Sequence, residues 1–430
     1  MTQQNTGAQP NIVLIHAHDL GDWLGTYGYP AVPTPNLDAL AARSVVFEKA
    51  FSTAPLCTPA RSSIFTGRLP HENGLMGLTH AGWTYAPDVV TLPEVLREAG
   101  YYTALIGLQH EDLDARVLGF DEVHGLGFLP RALEVADLLE QWLDARADDA
   151  QPFFASVGMW EVHRPWPESD YEPADPATVT VPAYLPDNEH TRRDISRFYG
   201  AIRQMDDAVG QMMAAIDRQP QGQDTVVLFT TDHGVAFPRA KSTLYDSGVK
   251  VALIMRIPEH FGVPAGRAAA LTSHLDILPT VAHLAGASVD EGLAGMNLLD
   301  RARHEGEDDR TLFFEKTYHD RYDPIRAVRT AGAKYIKNFV DAPVLPLSLD
   351  LEQSDTRVGM GDAHLAPRPS EELYLLTEDP DELINREAEP GMRLLKADLA
   401  HRLHEHLVAS ADPVLDGAIA APPAPERATR

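Results

Sequence analysis

The sequence predicts an α/β protein: a large mixed, mainly parallel sheet sandwiched by helices, followed by a small C-terminal α+β domain with an antiparallel sheet. Three observations predict it. Continuous β-branched and apolar runs read as strands buried on both faces. Helical patterns alternate with these runs over about 290 residues, as in a mainly parallel sheet. After an acidic stretch near Arg301–Arg310, short strand-like runs follow one another without intervening helices and close on a single helix.

The first strand is expected at Asn11–His16 and ends in Ala17-His18-Asp19, polar residues at the carboxyl end, where open α/β sheets hold ligands. Further strands are expected at Tyr102–Ile106, Phe153–Val157, Thr225–Thr230 and Val251–Ile257. Helices are expected at Pro35–Arg43, Leu92–Ala99, Ala132–Leu143 and Leu275–Ala285. The longest, about Thr191 to Arg218, keeps Ile195, Phe198, Ile202, Met205, Val209, Met212, Met213 and Ile216 on one core-facing side. The small domain takes strands at Leu312–Thr317, Ile325–Thr330, Lys334–Phe339 and Leu373–Leu376 and a helix at Arg393–Val408. Domain limits are set at 1–305 and 306–412, and the Ala- and Pro-rich segment 413–430 is expected to be disordered.

Composition narrows the function. The chain has 430 residues, enough for two or three domains, and an apolar share of 44% excludes disorder throughout. Lys and Arg number 36 against 63 Asp and Glu, a formal charge of −27 that repels nucleic acids and anionic membranes. A lone cysteine, Cys57, excludes an intrachain disulfide framework and suits a reducing compartment. No secretory pattern precedes the first strand, and no stretch nears the ~20 apolar residues of a membrane span. A soluble, cytoplasmic protein is the expectation.

The segment Cys57-Thr-Pro-Ala-Arg61-Ser-Ser-Ile-Phe-Thr-Gly-Arg68 carries the most chemistry. Pro55 and Pro59 bracket the cysteine and a polar run follows, which describes a loop entering a helix N-terminus, favourable to an anion. Arg61 stands one turn on and is expected on the same side. A second concentration is Thr231-Asp232-His233-Gly234, delivered by a buried strand to the same sheet edge as His18-Asp19.

The Cys57–Arg68 segment resembles the maturation motif of the formylglycine sulfatases of the alkaline-phosphatase superfamily, Cys-x-Pro-Ser/Ala-Arg with a Thr-Gly-Arg-like end. Thr34-Pro-Asn-Leu-Asp38 resembles the same family's early helix start. The resemblance implies an alkaline-phosphatase-like fold and conversion of Cys57 to formylglycine by a maturation enzyme. A geminal diol then attacks sulfur with one oxygen and expels sulfate with the other. It implies one divalent metal on His18, Asp19, Asp232 and His233. His18 and His233 replace an aspartate and an asparagine of the commonest pattern, so calcium follows from the resemblance while imidazoles suit manganese, iron or zinc. His16 is expected behind the ligands.

The resemblance also gives roles to Arg61, which stabilises the nucleophile's anion, Lys241, which contacts sulfate and leaving group, and His110, which takes the proton that expels sulfate. His163 binds sulfate or protonates the leaving group. Leu108 and Trp160 depart from the family's Lys and first His in those motifs. The segments His71–Leu78, Tyr318–Val328 and Glu372–Glu382, with Asp246, resemble the sulfamidase branch, which makes His319 and Arg326 candidates to read a small sulfated sugar such as N-sulfoglucosamine. Phosphonate monoester or phosphodiester hydrolysis, arylsulfatase activity and a non-catalytic sugar-binding protein remain the alternatives.

Overall fold

The computed structural model describes residues 9–126 and 129–423. Thirteen strands carry the architecture: β1 (Ile12–Ala17), β2 (Val45–Phe51), β3 (Tyr102–Gly107), β4 (Glu122–His124), β5 (Phe153–Gly158), β6 (Val226–Thr231), β7 (Lys250–Val251), β8 (Leu253–Arg256), β9 (Gly266–Ser273), β10 (Leu312–Tyr318), β11 (Tyr322–Arg329), β12 (Ala333–Asn338) and β13 (Glu371–Leu375). Among the described residues they form a nine-stranded sheet, ordered β4-β3-β5-β1-β6-β8-β2-β7 with β9 on β2, and a four-stranded sheet, β10-β11-β12-β13.

In the large sheet β4, β3, β5, β1 and β6 run parallel, as do β2 and β9, while β8 pairs antiparallel with both β6 and β2. Alternation along β1 shows why both faces are covered. Val13 and Ile15 enter one core with the helices Ala132–Ala145 and Glu189–Arg218; Ile12 and Leu14 enter the other with Leu92–Glu98 and Ile277–Ala285. β1, β3, β5 and β6 contribute apolar side chains to two helix layers, hence the uninterrupted apolar runs in the sequence.

The four-stranded sheet is antiparallel throughout. One face, with Phe314, Ile325, Ala327 and Ile336, closes over Phe51, Leu244, Tyr245 and Val249 of the large domain. The other receives Leu399, Leu403 and Leu407 of the helix Arg393–Ala409. The large sheet lies within residues 12–273 and the small one within 312–375, on either side of the expected limit at 305.

Three local expectations differ from the structure. Val251–Ile257 is two short strands broken at Ala252, whose N–H bonds Gly21 rather than a ladder partner. The small domain does carry inserted helices, Leu349–Glu352 and Asp355–Met360, between β12 and β13; they are too short for helical periodicity to show. The segment expected to be disordered from 413 is ordered as far as 423. Pro413–Asp416 is a 3-10 turn with Val414 buried, and Tyr318 Oη donates to the Ile419 carbonyl; residues 424–430 lie outside the described residues. No helix among the described residues is long and apolar enough to cross a membrane.

Candidate active site

Parallel register assembles the site. Along β1 and β6, His16 lies opposite Thr230 and Ala17 opposite Thr231, so His18-Asp19 and Asp232-His233 leave the sheet side by side. The backbone locks them there: Asp19 N–H donates to Asp232 Oδ1 at 2.9 Å and Gly21 N–H to the His233 carbonyl at 3.0 Å. Asp19 has φ +55°, an uncommon left-handed conformation that aims its carboxylate inward. Gly234 is required for close approach, since a Cβ there would lie 2.0 Å from the Ser247 carbonyl oxygen.

Cys57 opens the helix Cys57–Thr66 as its first residue and is buried. His18, Asp19, Cys57, Asp232 and His233 bring one donor atom each to within 4.8 Å of one another. The thiol's hydrogen-bond partner is His233 Nε2 at 3.7 Å. Burial alone would raise the thiol's pKa, but the positive charges of His18 and Lys241 outweigh it and hold the thiol well below its ordinary value. In this structure the Cys57 Sγ marks where the oxygens of a matured residue would stand.

The donor set fits a divalent cation. Asp232 Oδ2 is sealed from solvent without a well-directed hydrogen bond, although nitrogens of His18 and Arg61 each lie 3.1 Å away. His18 and His233 are pushed up to about 9 and about 10: burial opposes this, and Asp232 and Asp19 overcome it. The two carboxylates therefore demand positive charge between them. His233 Nδ1 donates to the Gly234 carbonyl at 2.9 Å, which frees Nε2 to face Asp19 at 3.0 Å, the arrangement of a metal-ligating imidazole oriented from behind.

The partners of Arg61 are on the ligand side of the site. Its guanidinium donates to His16 Nδ1 at 2.6 Å and to the Ala17 carbonyl at 3.0 Å, and pairs with Asp232, which belongs to the cluster around Cys57. Because arginine only donates, His16 accepts at Nδ1 and its Nε2 donates to Ser156 Oγ at 3.0 Å. Burial first, then Arg61, keep His16 well below its usual pKa and neutral. His16 thus supports the ligands from behind, as expected.

Lys241 Nζ lies 2.7 Å from Asp19 Oδ2, 2.8 Å from Asp350 Oδ2 and 3.3 Å from His163 Nε2. Its loop is held between left-handed residues, Arg239 and Ser242, and tied to the cysteine loop by Ser242 N–H to the Pro55 carbonyl at 2.9 Å. His163 Nδ1 donates to the Arg164 carbonyl, so Nε2 accepts from Lys241; burial and then the Lys241 charge lower His163 to about 4. The sequence expected a sulfate-binding group or an acid here; the resting imidazole is neutral.

His110 borders the thiol and stacks on His80, ring centroids 6.1 Å apart. His319 approaches the site from the small domain, near enough for Cys57 to raise its pKa, and is oriented by Asp320 at 2.7 Å. Arg326 is not part of the site. It is fully buried, with its guanidinium committed to Asp412 and to the Lys316 and Ile325 carbonyls, so no donor is left for a sugar. The sequence assigned no role to His80, Asp350 or Ser156. His80 closes the sulfamidase-like segment Gly74–His80, which was a usable signal; Asp350 and Ser156 belong to no motif.

The Sulfatase family model matches residues 10–287. The chain is 27% identical to human N-sulphoglucosamine sulphohydrolase over 94% of its length and 93% of that protein's. Among solved structures, it resembles a protein in complex with its substrate D-glucosamine-2-N,6-O-disulfate (TM-score 0.74, 18% identity, 96% and 100% of the two chains). It also resembles the phosphonate monoester hydrolase of Agrobacterium radiobacter (TM-score 0.72, 20% identity, 95% and 97%). With Cys57 at the head of its motif among buried carboxylates and imidazoles, the chain belongs to the sulfatase family, hydrolases of sulfate esters or sulfamates on an alkaline-phosphatase-like fold.

Proposed function

We propose that this enzyme removes a sulfo group from a small saccharide, with the N-sulfate of glucosamine as its preferred target. The observation that carries the reading is the convergence of Cys57, His18, Asp19, Asp232 and His233 within 4.8 Å, with Lys241 paired to Asp19 beside them. The similarity to N-sulphoglucosamine sulphohydrolase supports the choice of sulfamate.

Converted to hydrated formylglycine by a maturation enzyme, position 57 supplies one oxygen for attack on sulfur and a second for expulsion of sulfate. His18, Asp19, Asp232 and His233 would hold a divalent cation, which would supply Lewis-acid polarisation of the sulfo group; calcium follows from the family, manganese or another transition metal from the imidazoles. The chain's own groups do the rest. Lys241 turns its ammonium toward the sulfo group and neutralises charge that grows at the transition state. Arg61 is a positioning residue that keeps Asp232 ionised and oriented. His110 accepts a proton at position 57 when sulfate departs. A bound sulfo anion raises the proton affinity of His163, so an imidazole that rests neutral becomes an acid for the leaving nitrogen only when substrate is present. His319 reads the sugar from the small domain. A reducing compartment, the cytoplasm, suits a chain whose one cysteine must remain a thiol until it is matured.

Turnover of N-sulfoglucosamine, an aryl sulfate and a phosphonate monoester, with and without chelator, tests the assignment. The sulfamate should be the best of the three and metal removal should abolish all turnover. Phosphonate turnover far above sulfamate turnover would replace the assignment with the phosphonate hydrolase alternative.

A further inference from the structure

A groove of about 620 Å³ lies beside the site, between the segment after β5, the helix Glu189–Arg218 and the helices inserted between β12 and β13. Its volume lies within the range of ligand clefts, roughly 300–1,000 Å³. Two of its lining residues join it to the site: Asp350 pairs with Lys241 at 2.8 Å, and Arg164 directly follows His163.

We propose that this groove holds the sugar that leaves, and that it selects sugars presenting ammonium or hydroxyl donors and rejects those with a second sulfate. The proposal rests on the sulfatase reading and adds the class of substrate. Its argument is the state of the charges in the wall. Two arginines line the groove, and both are committed. Arg164 holds Asp194 in a bidentate pair at 2.8 and 2.7 Å; Arg197 is shared between Glu168 at 3.0 Å and Asp355 at 2.9 Å. No lining residue therefore offers a cation without a partner, and a second sulfate would meet carboxylates and already-paired guanidinium groups. Like charge from Glu168, Asp194, Asp350 and Asp355, with no free guanidinium to offset it, disfavours a second anion there.

Asp350 has the opposite preference. Lys241 takes its Oδ2, and the side chain keeps 20% of its surface exposed, which leaves Oδ1 as an acceptor at the mouth of the catalytic centre. Cleavage of a sulfamate with proton transfer to nitrogen releases an amine that takes up a proton. Asp350 is placed to receive the resulting ammonium, or a hydroxyl of an O-sulfated sugar, through a charge-assisted hydrogen bond. The helix Leu349–Glu352 brings this acceptor from the small domain, so specificity is supplied across the domain contact although Arg326 does not supply it.

Calorimetric binding of two product-like sugars, glucosamine and glucosamine 6-sulfate, tests this without needing turnover. It is run on matured protein beside kinetics on an activated aryl sulfate. Wild type should bind glucosamine about tenfold more tightly than glucosamine 6-sulfate, and Asp350→Asn should weaken glucosamine by about tenfold or more. Gln353 is an exposed member of the groove wall, so Gln353→Arg should tighten glucosamine 6-sulfate and narrow the gap without endangering the fold. Equal affinity of wild type for the two sugars, no binding of either, or two variants that leave the ratio unchanged would overturn the proposal. Aryl sulfate turnover without sugar binding would remove the groove and leave the sulfatase reading intact. The predicted sugar selectivity without turnover of any sulfate would do the reverse.

Discussion

Arg61 and Asp232 meet 3.1 Å apart, both fully buried, and the same guanidinium grips His16 and the Ala17 carbonyl. A residue of the maturation segment thereby fixes the end of β1 and the carboxylate at the end of β6 at once. If Asp232 holds a cation as proposed, this supporting role makes the cation's affinity depend on the planar fork of arginine.

Arg61→Lys keeps the charge but cannot reach all three partners. Metal titration should show affinity lowered by about 10–100-fold, with turnover restored in part by excess metal. Unchanged affinity would mean that Arg61 acts on position 57 directly.

His163→Ala should separate substrates by leaving group. A sulfamate nitrogen needs a proton to depart, so kcat/KM on N-sulfoglucosamine should fall roughly 100-fold or more, while an activated aryl sulfate, whose phenolate leaves unaided, should lose only a few-fold. Equal losses would make His163 a sulfate-binding group and not an acid.

Arg326→Ala should be a stability variant. Removing one member of the buried Arg326–Asp412 pair strands the other and should cost about 3–5 kcal/mol, read from denaturant midpoints. Asp412→Ala should cost a similar amount, and the double variant less than the sum of the two. KM for the sugar should not move. A raised KM with unchanged stability would return Arg326 to the substrate.

His71, paired with Glu315 at the contact between the domains, is raised to about 9: burial opposes protonation, but the Glu315 charge and hydrogen bond, then Asp412, prevail. A raised folded pKa means the pair's contribution is fully present below the unfolded value of about 6.5 and fades as pH rises to about 9. Wild type should therefore lose melting temperature across that window relative to His71→Gln. Parallel pH profiles for the two proteins would show that this pair is energetically silent.

Most of the fold was legible because its signals are local. Buried parallel strands print apolar runs, and the helix Glu189–Arg218 prints a long periodic face. β2, β4 and β9 did not stand out, since Val45–Phe51 carries Glu48 and Lys49 amid its apolar residues and Glu122–His124 is only three residues long. In the site, contiguous motifs delivered Cys57, His18, Asp19, Asp232, His233, His110, His163 and Lys241 to one place. What the sequence could not carry is direction and long-range partnership. Whether Arg61 turns toward the thiol or toward Asp232 depends on His16, 45 residues away, and Asp350 meets Lys241 across 109 residues. Arg326 looked free for the same reason: Asp412, its partner, lies 86 residues downstream in what reads as the approach to a loose tail.

The chemical state of position 57 tests the central claim most directly. Peptide mass analysis of protein from its native host should show Cys57 with hydrogen sulfide lost and one oxygen gained, and specific turnover should rise in proportion to the converted fraction. An intact thiol in fully active enzyme would contradict the account.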